Sequence, residues 1–183
     1  MSRKKIFKLG ELFCGPGGFA EGARKAGFHH VWAVDNDKNS CETFAHNQKM
    51  KFAESVENNQ KNTVYNMEIK EFVKKNNLKK LEKIDGLIFG FPCNDFSNVG
   101  EKKEFKGKYG GLYRYACLAL DYFKPKFFVA ENVTSIAKGG GHLKNFKIIL
   151  KDLAKSADKY GYRIYGDNYK FEEFNIPQTR HRV

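Results

Sequence analysis

Three short segments of this sequence carry side chains that could do chemistry together. They are Gly90-Phe91-Pro92-Cys93-Asn94-Asp95-Phe96-Ser97, Glu131-Asn132-Val133 and Gln178-Thr179-Arg180-His181-Arg182. Between them they offer a thiol, a carboxylate and two guanidiniums. A thiolate that adds to carbon 6 of a pyrimidine pushes electron density to carbon 5, which is otherwise too weak a nucleophile to take a methyl group. The addition needs charge relief at ring nitrogen 3, which Glu131 can give. An arginine can hold the carbonyl oxygen at carbon 2. A free thiol is mostly un-ionised at neutral pH, so such a site must activate it or capture it on contact with the base. Taken singly, each segment has a plainer reading: a turn with a buried thiol, a surface ion pair, a solvated basic tail. Their joint occurrence, in this order and after strand-like runs, favours the chemistry.

A fourth segment, Leu12-Phe13-Cys14-Gly15-Pro16-Gly17-Gly18-Phe19-Ala20, joins a strand-like run to a helix-like one. Glycines there permit positive backbone angles and let a ligand approach the main chain. The helix N-terminus adds a partial positive charge. Asp35 closes the next apolar run, where its carboxylate can accept both ribose hydroxyls of an adenosine. Alone this is ambiguous, because Gly15, Gly17, Ala20 and Asp35 also fit the dinucleotide fingerprint of hydride-transfer enzymes. Such an enzyme has no use for the thiol at Cys93.

The elements that must position these groups alternate along the chain. Strands are expected at Ile6–Phe13, Val31–Val34, Thr63–Asn66, Asp85–Phe89, Phe127–Ala130 and Arg163–Lys170. Helices are expected at Phe19–Ala26, Ser40–Asn47, near Ile69–Asn76, at Leu112–Phe123 and at Leu143–Ala157. The last has Leu143, Phe146, Leu150, Leu153 and Ala157 on one face, and Lys144, Lys147, Lys151 and Lys155 on another. The alternation predicts an α/β fold with a doubly wound, mostly parallel sheet. Ligands bind such sheets outside the carboxyl ends of the strands. The thiol, the carboxylate and the guanidiniums should therefore converge beside the adenosine site. Asn98–Gly111, with four lysines and four glycines, reads as an exposed, mobile loop.

A chain of 183 residues suits a single domain. The net charge of +12 suits a polyanionic partner. No apolar run is long enough to span a membrane, and the basic N-terminus lacks the apolar core of a signal peptide. A cytoplasmic address is the default. The cysteines, at 14, 41, 93 and 117, show no zinc or redox spacing, so no metal is expected. Cys41 and Cys117 read as core residues.

On these motifs, which run through nearly the whole chain, the sequence resembles the cytosine-5 DNA methyltransferases of the bacterial restriction-modification type. The resemblance implies a Rossmann-like, S-adenosylmethionine-dependent methyltransferase fold acting on double-stranded DNA. It implies Cys93 as nucleophile, Glu131 as partner of nitrogen 3, and Arg182 on the cytosine carbonyl with Arg180 in support. Phe13, Gly15, Gly17 and Gly18 would line the cofactor, together with Pro92. Asp35 would take the ribose, and Asn36 would lie beside the adenine. Glu68 and Ile69 match the family's adenine-reading pair, where an Asp is usual. Gly111 and Leu112 match the segment that closes the pocket, and the loop after Cys93 would fold over DNA. Base flipping comes with the family.

Two departures stand out. Asn94 replaces the usual Gln after the Pro-Cys pair, and the family's later motifs are absent. The expectation is that residues 1–183 form a truncated catalytic and cofactor-binding domain. Target recognition and a final helix would come from a missing region or a second chain. The competing readings are the tRNA-methylating branch of the same family, a non-catalytic DNA-binding subunit, and a dehydrogenase.

Overall fold

The computed structural model describes residues 6–92, 111–137 and 140–183. The chain divides into two units, Met1–Gly90 with Leu118–Ala130, and Phe91–Cys117 with Glu131–Val183.

The first unit is built on a sheet in the order β3-β4-β2-β1-β5-β6. Its strands are β1 (Lys8–Leu12), β2 (His29–Asp35), β3 (Lys51–Ala53), β4 (Thr63–Asn66), β5 (Gly86–Gly90) and β6 (Phe127–Glu131). β1 pairs parallel with both β2 and β5, and β4 pairs parallel with both β2 and β3. Helices α1 (Gly18–Lys25), α2 (Lys38–Gln48), α3 (Ile69–Phe72) and α4 (Lys75–Leu78) connect the strands. Asp37 caps α2 by accepting the Ser40 N–H at 2.8 Å. The central strands are mostly apolar and buried, as parallel strands covered on both faces require, although β1 also buries Glu11 and β2 buries His30. On one side Trp32 packs against Phe72 and Phe123 and donates its indole N–H to the Glu82 carbonyl. Gly10 makes room for it: a Cβ there would lie 2.2 Å from the Trp32 ring. A second cluster comprises Cys14, Ala20, Ala33, Cys41, Phe44 and Val64.

The expected polar helix near Ile69–Asn76 is two short ones, α3 and α4. β3 was not foreseen. It is three residues long at the sheet edge, too short to show a period.

In the second unit, helix α5 (Tyr113–Phe123) begins and α6 (Gly140–Tyr160) packs through Ile149, Leu153 and Ser156. The lysines of α6 at 144, 147, 151 and 155 are all exposed, as expected. The Ala157 side chain lies outside the described residues. The buried Tyr113 donates its phenol to Asp152 at 2.7 Å. The expected strand Arg163–Lys170 does not form. Only Tyr169–Lys170 (β7) is extended and paired, antiparallel to His181–Arg182 (β8), in a separate two-stranded sheet. The reason is local: Gly166-Asp167-Asn168 interrupts the run, and Asp167 turns back to accept the Asn168 N–H.

Candidate active site

The candidate cofactor loop leaves β1 with left-handed backbone at Phe13 (φ 58°), Gly15 (φ 51°) and Gly17 (φ 99°). Nothing lies within 4 Å of where a Cβ would stand on Gly15 or Gly18, so the main chain there is open to a ligand. Gly17 is the N-cap residue of α1 and sits in the left-handed region. Asp35, at the end of β2, holds the loop in place. Its Oδ2 accepts the Gly15 N–H at 2.9 Å and its Oδ1 accepts the Asp37 N–H at 3.0 Å. Asn36 donates its amide to Glu68 Oε1 at 3.1 Å, and the buried Ile69 opens α3 directly after Glu68. Phe13, Gly15, Gly17, Gly18, Asp35, Asn36, Glu68 and Ile69 thus all belong to the first unit. Cys14, in the same loop, carries a buried thiol. Burial pushes it well above its ordinary value, and the nearby Glu11 and Asp35 push it the same way.

The second unit holds Pro92, Leu112, Glu131, Arg180 and Arg182. Glu131 ends β6, and Arg182 Nε donates to Glu131 Oε1 at 2.6 Å. Backbone bonds set this pairing. Asn132 and Val183 exchange N–H···O bonds of 2.8 and 2.9 Å, and Val133 bridges antiparallel to Arg182. The expectation that the arginines follow a strand of the main sheet is therefore corrected: they ride on the β7–β8 hairpin. Arg182 also donates Nη1 to the His181 carbonyl, so its guanidinium is fixed at two points. Arg180 is exposed and lies over the Phe171 ring, 5.8 Å from its centre. It is not brought onto Glu131.

Cys93 and the loop after it, through Gly110, lie outside the described residues. Pro92 and Leu112, which flank that stretch, are half-buried. Sequence reasoning missed the part played by Asn132. Buried, it donates its amide to the Phe91 carbonyl at 3.0 Å and accepts the Val133 N–H. Its place beside Glu131 was the one available signal. Among the described residues no group of side chains could hold a metal ion, and no helix is long and apolar enough to cross a membrane.

The family model for C-5 cytosine-specific DNA methylases matches residues 7–183. The chain belongs to that family. It is 42% identical over 188 residues to the type II methyltransferase M.BbvI of Brevibacillus brevis, covering 97% of this chain and 48% of that protein. It is 31% identical to M.NgoFVII of Neisseria gonorrhoeae, covering 96% of this chain and 42% of that one. Among solved structures, it resembles a candidate DNA modification methyltransferase encoded within an E. coli prophage. The TM-score is 0.68 at 25% identity, over 96% of this chain and 44% of that one. S. pombe Dnmt2 methyltransferase shares the fold, with a TM-score of 0.65 at 17% identity, over 97% of this chain and 48% of that one. The fold is thus the Rossmann-like methyltransferase type. The chain spans about half the length of the relatives it matches, or less.

Proposed function

We propose that residues 1–183 are the catalytic and cofactor-binding portion of a DNA cytosine-5 methyltransferase of a restriction-modification system. It would act in the cytoplasm on a cytosine flipped out of double-stranded DNA. The observation that carries this reading is the Glu131–Arg182 pair at 2.6 Å, in a chain of this family. A carboxyl and a guanidinium held side by side are what the edge of a cytosine needs at nitrogen 3 and at the carbon 2 oxygen.

The open glycine backbone and the anchored Asp35 fit S-adenosylmethionine. Asp35 would accept the ribose hydroxyls, with Phe13, Gly15, Gly17 and Gly18 along the chain of the ligand. Asn36, Glu68 and Ile69 would face the adenine, and Pro92 and Leu112 would close the pocket. When bound, the cofactor supplies an electrophilic methyl group on a sulfonium. The side chains do the rest. Cys93 adds to carbon 6, Glu131 shares a proton with nitrogen 3, and Arg182 holds the carbonyl oxygen with Arg180 in support. Once carbon 5 has been methylated, removal of its proton lets the thiol leave. The flipped base costs roughly a few kcal/mol of unstacking. Target recognition would come from the length that the relatives have and this chain lacks, in the same polypeptide or in a second one.

The test is trapping. Fluorine at carbon 5 cannot leave as a proton does, so duplex DNA containing 5-fluorocytosine should form a denaturation-resistant complex with the full-length protein and cofactor. Cys93→Ser should form none, whereas Cys14→Ser, Cys41→Ser and Cys117→Ser should still trap. Normal methylation by Cys93→Ser would overturn the mechanism. Trapping on tRNA alone would overturn the DNA assignment.

A further inference from the structure

Helix α6 carries a row of charge that neither the cofactor site nor the proposed reaction uses. Lys144, Lys147, Lys151 and Lys155 are all exposed. At about 100° per residue they fall within an arc of about 80°. Ile149 and Leu153 are buried on the opposite side of the helix, so the lysines project away from the packing of the second unit. At a rise of about 1.5 Å per residue the row is about 16 Å long.

The row does nothing for the helix that bears it. Like charges three and four residues apart weaken a helix. A solvated helix face ordinarily relieves this by interleaving the two signs. Here the first turn of α6 holds no acid, so no side chain there complements the helix dipole. Asp152 is the one acid between Lys144 and Lys155 in the sequence. It accepts the Tyr113 phenol at 2.7 Å and pairs with Lys155 at 2.9 Å. Lys144, Lys147 and Lys151 have no acidic partner among the described residues. Asp158, which is exposed, ends the row on its C-terminal side. Local stability therefore does not account for three unpaired cations in line. An external polyanion does, because it turns their mutual repulsion into attraction.

The polyanion that members of this family act on is DNA. Each strand of a duplex carries one phosphate per about 3.4 Å of axis, so a row of about 16 Å spans about five phosphates. In the chain, α6 follows β6 and the short helix Thr134–Ala137. Its first turns are thus close in sequence to Glu131, and the row leads from Lys144 away toward Lys155. We propose that Lys144, Lys147 and Lys151, with Lys155 at the far end, form a second DNA surface that holds the phosphates of duplex flanking the target site. The inference rests on the reading of the protein as a DNA methyltransferase and adds to it a surface outside the site of chemistry. Contacts of this kind position a protein on the duplex without reading its sequence. They also let it slide along the duplex. Lysine suits the task, because it is a point charge on a flexible stem and needs no fixed phosphate geometry.

The test uses the full-length protein and its triple variant Lys144→Gln, Lys147→Gln, Lys151→Gln, which keeps polar side chains and removes the charges. Kd is measured by fluorescence anisotropy as a function of salt, on a duplex with long flanks and on one trimmed to the target. On the long duplex the slope of log Kd against log salt should fall by about 0.9 per lost contact, about 2.7 in all. A long duplex without a target should show the same fall, and the trimmed duplex none. The Tm of the variant should be unchanged or slightly raised, because repulsion along the helix has been relieved. A control, Lys51→Gln, Lys61→Gln, Lys79→Gln, removes equal charge from exposed positions of the first unit and should move the slope by less than about 1. An equal fall in the control overturns the proposal, since net charge alone would explain it. An unchanged slope in the α6 variant overturns it too. If Tm falls as well, the row is a contact with the rest of the polypeptide instead. A fall on tRNA with none on duplex also overturns it. Methylation of duplex DNA with an unmoved slope sinks the row alone, whereas failure of the wild type to bind or methylate any duplex sinks the proposed function with it.

Discussion

Replacing Asp35 by asparagine should cost almost as much cofactor affinity as replacing it by alanine. Both carboxylate oxygens are in use: Oδ2 accepts from Gly15 at 2.9 Å and Oδ1 from Asp37 at 3.0 Å. Asparagine has one acceptor oxygen. Whichever way it turns, its NH2 meets a backbone N–H, and donor faces donor. One charge-assisted bond is lost on the protein side, worth about 1.5–3 kcal/mol. The ribose hydroxyls lose a charged acceptor of similar worth. Asp35 is half-buried, which argues for the lower end of each. The sum is about 3 kcal/mol, or roughly 100-fold in Kd at about 1.4 kcal/mol per tenfold. Titration calorimetry with S-adenosylmethionine and with S-adenosylhomocysteine measures this, with thermal unfolding as the control for intact folding. If Asp35→Asn binds within about threefold of wild type while folded, the carboxylate neither anchors the loop nor meets the ribose.

Gly10→Ala would set a methyl group 2.2 Å from a Trp32 ring that is pinned by its own hydrogen bond to Glu82. Urea unfolding should register a loss of about 3 kcal/mol or more, and an unchanged midpoint would mean that the indole is free to move. Arg182→Lys keeps the charge and the backbone bridges but loses the planar fork. Stability should fall by less than about 1 kcal/mol, because the pair with Glu131 is partly exposed. Methyl transfer by the full-length protein should fall more than about tenfold. Equal losses in the two measurements would reduce Arg182 to a structural role.

What could be read from the sequence was what side-chain pattern encodes. β1, β2, β4, β5 and β6 are largely apolar runs, and all five form close to where they are expected. β3 and the β7–β8 hairpin are two or three residues long. At that length an alternation has no period to detect, and only backbone pairing defines the strand. The misplaced strand at Arg163–Lys170 has the same origin: residues 163–165 have strand-like chemistry but find no ladder. The close approach of two buried side chains, Glu11 on β1 and His30 on β2, 2.7 Å apart, was hidden for another reason. A register shift decides which residues of β1 and β2 meet, and no spacing rule foresees one. A Glu inside Leu9-Gly10-Glu11-Leu12 was the visible anomaly.

The candidate catalytic pair was foreseen for a partly wrong reason, and the correction says more about the site than the expectation did. Glu131 and Arg182 do not meet because two strands of one sheet end side by side. They meet because the backbone of Asn132 exchanges two hydrogen bonds with Val183, which fixes the residue before each of them in space. The side chain of Asn132 then reaches the other way, to the carbonyl of Phe91, two residues before Cys93. One buried residue thus ties together the backbone of all three segments that bear the thiol, the carboxylate and the guanidinium. An asparagine suits that position because it supplies a donor for Phe91 and an acceptor for the Val133 N–H at once. An aspartate would lose the donor and bury a charge, and an alanine would lose both the bond to the Phe91 carbonyl and the acceptor for the Val133 N–H.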